Sequence, residues 1–294
     1  MPESEENIIN LIIRRFQDEG LPEEFITFYR ELFYHRLVFK KSFNISRPLF
    51  PPDSIQESIS TGIPILVRLN IEPDSSSFGE QFRKILPVLQ RVPEISHNLT
   101  GVLLKCEETI SNPQTFQRWL KECEIPDIPD GIKSETWNLL LDEVFNPVLE
   151  SYCDVLLPEI DQEKWRRGYC PICGGFPDLA VLDKENGSRW LICRRCNAHW
   201  RFQRIECPYC HCTDQKSLSY YTDDSGLYRL YTCDQCKGYL KAVDERVSQG
   251  ETVIPLERIR TLSLDMQARD LGYRTGNEVT PDRRPYKQAP STCG

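Results

Sequence analysis

Eight cysteines fall in four Cys-x-x-Cys pairs within a short stretch, and this constrains the chain more than any other feature. The pairs are Cys170/Cys173, Cys193/Cys196, Cys207/Cys210 and Cys233/Cys236. The first two are separated by 19 residues and the last two by 22. A Cys-x-x-Cys turn directs two thiolates at one point, and a second such turn across a hairpin completes a tetrahedron of four sulfurs. Such a donor set suits Zn²⁺, or a single iron. The expectation is two metal ions per chain, Zn²⁺ or Fe, each held by four of these eight cysteines. Interleaved pairing, first turn with third and second with fourth, is physically possible, but the repeated hairpins favour consecutive pairing. A closed four-sulfur site has no open position for chemistry, so the metal is expected to hold the fold. Redox-active iron and thiol–disulfide exchange are the alternatives.

The same stretch repeats. Leu179–Leu182 and Arg189–Cys193 flank Lys184, Glu185, Asn186 and Gly187, a hairpin signal. Ser217–Thr222 and Tyr228–Thr232 flank Asp223, Asp224, Ser225 and Gly226 in the same way. The pattern of knuckle, strand, turn, strand, knuckle therefore occurs twice, an internal duplication.

The preceding sequence differs in kind. Apolar spacing predicts helices over 6–16, 23–43, 75–92, 94–110, 114–122 and 134–157, with Ser76 or Ser77 capping the third and Ser134 the last. Pro147 is a candidate kink. Residues 44–60, centred on Pro51 and Pro52, read as irregular. Leu256–Leu271 reads as one further helix. The fold class expected is α+β and multidomain. A mostly helical domain spans 1–165. Two tandem four-cysteine modules, rubredoxin-like or zinc-ribbon-like, follow at 166–202 and 203–245, then a helical segment at 246–275 and a disordered tail at 276–294.

Charge narrows the function. Of the net −8, residues 1–165 carry −12, while 166–245 and 246–294 carry +2 each. An acidic front half disfavours general nucleic-acid binding, which needs Lys and Arg to displace counterions. No apolar run approaches the roughly 20 residues of a spanning helix. Glu3, Glu5 and Glu6 take the place of a basic leader region, so a cytoplasmic protein without membrane insertion is expected. Phosphate-loop, nucleophile-elbow and His-Glu-x-x-His signatures are missing, and no catalytic residue is nominated. His199, His211 and Cys212 adjoin the knuckles as spare donors. Cys106, Cys123 and Cys153 read as buried small residues, and Cys293 as incidental.

The run from Trp165 through Gly168, Tyr169, Cys170, Pro171, Cys173, Gly174, Gly175 and Pro177 resembles the entry to the metal domain of the FdhE family, formate dehydrogenase accessory proteins. Arg189 to Trp200, Arg204 to Cys210, Tyr231 to Lys241 and Thr261 to Tyr273 are similar to that family's later segments. His211 stands where a glycine is expected after a rubredoxin-like knuckle. The resemblance implies a cytoplasmic, non-enzymatic assembly factor. Its partner would be the catalytic subunit of a molybdenum- or tungsten-dependent formate dehydrogenase, which it binds and helps to mature. It also implies an association with iron. Trp200, Arg201, Phe202, Arg204, Tyr209 and Tyr239 are the expected partner-facing side chains, because aromatics and arginine suit interfaces. The rivals are a nucleic-acid-binding zinc ribbon and an iron-dependent electron carrier.

Overall fold

The computed structural model describes residues 5–43, 45, 52–99, 101–121, 128–248 and 250–279. The chain forms two compact units: 1–46 with 70–152, and 47–69 with 153–294.

The first unit is helical. It contains α1 (Glu5–Asp18), α2 (Glu23–Ser42), and most of α9 (Ser134–Leu156), up to Tyr152. Between them in sequence, the second unit contributes α3 (Pro52–Thr61) and α4 (Ile65–Leu69). The first unit adds α5 (Ser76–Leu89), α6 (Pro93–Leu99), α7 (Leu103–Ser111) and α8 (Pro113–Lys121). Its centre is aromatic: Phe78, Phe116, Trp119 and Phe145 contact one another at ring separations of 4.9–6.1 Å. Such offset and edge-on contacts add to the burial of large rings. Arg36 on α2 is forked between Glu143 and Glu150 on α9 at 2.9 and 2.7 Å, so this largely buried guanidinium has its charge matched.

Three expectations are corrected here. Residues 52–60, read as irregular, lie in the helix Pro52–Thr61, because Pro52 occupies the first helical position, where its missing donor costs nothing. The helix expected at 94–110 is two helices, split near Gly101, whose φ of +82° ends the first. The carboxylate of Asp74, rather than a serine hydroxyl, accepts the N–H of Ser76 at the start of α5.

The second unit is built on a six-stranded sheet. Its strands are β1 (Pro177–Leu182), β2 (Arg189–Cys193), β3 (His199–Phe202), β4 (Leu218–Thr222), β5 (Tyr228–Cys233) and β6 (Gly238–Asp244). The order is β3-β2-β1-β6-β5-β4. Each repeat is an antiparallel meander, and the two meet through parallel pairing of Leu179–Leu182 with Lys241–Asp244. Asp183 and Asp223 hold the two hairpin turns by accepting backbone N–H groups. Leu179, Val181, Ile192 and Val243 form one core cluster, and Leu230, Tyr239, Ala268 and Tyr273 another.

The C-terminal helix is also split. α10 (Ile254–Arg260) and α11 (Leu262–Asp270) break at Thr261, whose hydroxyl donates to Glu257 O. Arg258 on α10 reaches the first meander through Asp178, Asn197 and Cys193 O. Asp265 on α11 accepts from Tyr239 and Lys241 of the second. Of the tail expected at 276–294, Gly276–Val279 forms a short helix, α12, and 280–294 lie outside the described residues, as do Cys123 and Cys293. Among the described residues no helix is long and apolar enough to cross a membrane.

Candidate metal centres

Each knuckle is shaped by the same backbone device. The residue after the second cysteine has a left-handed conformation: Gly174 at φ +75°, Asn197 at +58°, His211 at +60° and Lys237 at +59°. Its N–H returns to the carbonyl of the first cysteine at 2.8–3.2 Å in all four cases. In the first three knuckles the N–H of that first cysteine also bonds the carbonyl five residues on, at Gly175, Ala198 and Cys212, and in the fourth Cys233 pairs with Gly238, again five residues on, in the β5–β6 ladder. Glycine and asparagine adopt this conformation readily, whereas histidine and lysine do so at a cost. A left-handed position rather than glycine itself is what the knuckle requires. This accounts for His211, which also has its ring on Glu206 at 2.7 Å.

The turns converge as two consecutive groups, Cys170/Cys173/Cys193/Cys196 and Cys207/Cys210/Cys233/Cys236, with the thiols of each group within 4.8 Å of one another. Across the first group the Sγ atoms of Cys170 and Cys196, and of Cys173 and Cys193, are 3.5 Å apart. In the second group the corresponding separations are 3.7 Å and 3.6 Å. Metal–sulfur bonds of about 2.3 Å place the sulfurs of a tetrahedron about 3.8 Å apart, so both groups fit one ion. Backbone N–H groups of Ile172, Gly175 and Arg195 point at cysteine sulfurs of the first group at 3.3–3.4 Å, as donors to thiolates do.

The electrostatics agree. Burial pushes the Cys170 and Cys196 thiols up, and burial also raises Cys233 to about 11, while the Cys207 thiol hydrogen-bonding to Cys236 pulls that thiol down to about 5. Thiols this close cannot all ionise without a cation between them. The sequence reading missed a fifth thiol: Cys153, near the end of α9, is a neighbour that helps raise the Cys196 thiol, after burial. Neither His199, His211 nor Cys212 joins either group.

The expected partner-facing side chains are placed differently. Trp200, Phe202, Tyr209 and Tyr239 are buried, and only Arg201 and Arg204 of the six keep substantial exposure. Trp200 donates its indole N–H to Arg167 O at 2.8 Å. The Tyr209 hydroxyl sits between Pro177 O and Tyr239 O, tying one module to the other. The Tyr239 hydroxyl donates to Asp265. Arg201 pairs with Glu163. The four aromatics therefore build the interior of the sheet unit and form no exposed surface. Gly168 serves the same packing. A methyl group there would overlap the Pro208 carbonyl, so only glycine lets the chain entering the first knuckle touch the third.

Residues 169–204 match the family model described as the FdhE central domain. A "Protein FdhE homolog" from Aquifex aeolicus is 26% identical over 274 residues, covering 91% of this chain and 90% of that protein. Another from Pseudomonas aeruginosa is 31% identical over 117 residues, 36% of this chain and 37% of its own. The crystal structure of the FdhE protein from Pseudomonas aeruginosa shares the fold, with a TM-score of 0.59 at 20% identity, covering 92% of this chain and 91% of that one. The chain is thus similar in sequence to FdhE homologues over most of its length, shares the fold of one FdhE protein, and matches the FdhE central domain at residues 169–204.

Proposed function

We propose that this chain is a non-enzymatic, cytoplasmic accessory protein. In this reading it binds the catalytic subunit of a molybdenum- or tungsten-dependent formate dehydrogenase and is needed for that subunit to mature. The observation that carries this is the FdhE central domain laid over the first of two closed four-cysteine groups. Cys170, Cys173, Cys193 and Cys196 hold one ion, and Cys207, Cys210, Cys233 and Cys236 the other. The ions are Zn²⁺ or Fe, and their work is to fix hairpins around which a binding surface is organised. Arg201 and Arg204 are the members of the expected partner surface that remain accessible. The near balance of charge over 166–245 supports a protein partner over nucleic acid.

The test has two arms. The tagged chain, purified without oxygen, is used to capture the catalytic subunit, and formate dehydrogenase activity is assayed in a strain lacking the gene. Capture together with lost activity is expected. Unchanged activity in the deletion strain overturns the reading. Metal analysis and an absorption spectrum of the same preparation identify the ion. Two zinc ions and no visible band mean a scaffold, whereas thiolate-to-iron bands that bleach on reduction favour the electron-carrier alternative.

A further inference from the structure

A cavity of about 520 Å³ opens on the face of the second meander, beside Cys207 and Cys233. That is within the usual size of a small-molecule site. Its lining brings together Arg189, Arg204 and Arg229, with Tyr220 and Tyr231 on neighbouring strands. Among the described residues, Glu206 is the lining's single carboxylate, and it is engaged by the His211 ring at 2.7 Å.

None of the three arginines has a carboxylate to itself among the described residues. Arg189 is 3% exposed. It donates to the carbonyls of Gln203 and Glu206 and lies 5.2 Å from the centre of the Phe202 ring. Its Nε–H is buried and has no partner; among the described residues no carboxylate forms an ion pair with it, and Cys207 and Glu206 are negative groups that act on it from further off. Burying a charged group without a direct ion pair is costly, and an orphaned donor adds to that cost. Arg229 shares the single carboxylate of Asp244 with Arg246, at 2.5 and 2.7 Å, and its own Nε–H is also buried without a partner. Arg204 makes no ion pair among the described residues. One cavity thus presents three guanidiniums, two with unused donors.

The rest of the lining is aromatic. Tyr220 and Tyr231 are cross-strand partners on β4 and β5, with ring centres 5.6 Å apart and planes tilted by 36°. Tyr220 is 56% exposed on an edge strand, where a large ring is ordinarily covered or replaced by charge. The Arg229 guanidinium lies 5.2 Å from its centre. Guanidiniums match the oxygens of a phosphate by their forked donors, and tyrosine faces accept a planar ring.

We infer that this cavity binds a small organic phosphate carried on a planar ring, with the phosphate on Arg189, Arg229 and Arg204 and the ring against Tyr220 and Tyr231. The site joins both repeats, because Arg189 begins β2 of the first meander while Arg229 and the tyrosines belong to the second.

The test is isothermal titration of the full, metal-loaded chain with AMP and flavin mononucleotide, and with inorganic phosphate and adenosine as the separate halves. At least one nucleotide should bind tenfold or more tightly than either half. Arg204→Gln and Tyr220→Ala, both at exposed positions, should each weaken binding about tenfold, and Arg189→Gln should abolish it. Tyr221→Ala, on the opposite face of β4, should leave it unchanged. Metal content and circular dichroism of each variant separate misfolding from lost binding. Absence of binding by both nucleotides, inorganic phosphate binding as tightly as they do, or wild-type affinity in the Arg204 and Tyr220 variants overturns the inference.

Discussion

The two four-cysteine groups have the same knuckle geometry and different surroundings. In the first, all four cysteines are buried. Tyr169 reaches Gly62 O with its hydroxyl, Ile65 and Leu66 give their N–H groups to Pro171 O and Ile172 O, and Arg258 holds Cys193 O. In the second, Cys210 and Cys236 are partly exposed, β4 is largely solvated, and a cavity opens alongside. Duplication supplies the same metal-binding turns twice. What is packed around them separates a sealed site from an accessible one.

The largest expected difference follows from removing ligands. Cys170→Ser with Cys173→Ser should leave the second unit without a cooperative unfolding transition. Structural zinc sites contribute roughly 10–16 kcal/mol, as much as a typical domain's whole stability. Cys207→Ser with Cys210→Ser should retain one ion and a folded first meander. Metal stoichiometry and near-ultraviolet circular dichroism read both. Loss of both ions from the second double variant would break the distinction and mean that the two sites stand or fall together. On the native chain, a chelator should strip the second ion well before the first.

Buried and exposed aromatics sharpen the same contrast. Trp200→Ala, on the inner face of the first meander, should cost about 3–5 kcal/mol in urea unfolding. Tyr220→Ala on the outer strand of the second should stay within about 0.5 kcal/mol. Next in size is Arg258→Ala. Losing its fork on Asp178 and its bonds to Asn197 and Cys193 O should cost about 2 kcal/mol and speed metal loss from the first group alone.

A further effect, smaller than that of Arg258→Ala, should be a gain. The first knuckle has Gly174 at its left-handed position and the third has His211. His211→Gly should stabilise by about 0.5–1 kcal/mol, partly offset by the lost contact with Glu206. A loss would mean that the ring contact outweighs the backbone cost.

The metal groups were legible because a Cys-x-x-Cys turn is local and its duplication favoured the consecutive pairing that the structure shows. The helices of the first unit were legible from apolar spacing, but the breaks at Gly101 and, in the second unit, at Thr261 were not, since each split depends on one residue's backbone or hydroxyl. The aromatics were misplaced for a readable reason. His199, Trp200, Arg201 and Phe202 form a strand, so Trp200 and Phe202 share one face and Arg201 takes the other. Treating the run as a patch ignored that alternation. The arginine cavity could not be read from the sequence, because Arg189 and Arg229 meet only through pairing of the two meanders. Cys153 was similarly hidden, since nothing local in a helix marks a thiol as the neighbour of a distant knuckle.

The parallel joint between β1 and β6 has a consequence for synthesis on the ribosome. Until Lys241–Asp244 emerge, the first meander can fill its metal site yet still expose the bare edge of Leu179–Leu182. Such an edge is a template for pairing with another nascent chain. Slow translation through the second repeat should therefore favour intermolecular aggregates even when metal is plentiful, and a truncated chain ending before β6 should be less soluble than its own hydropathy implies.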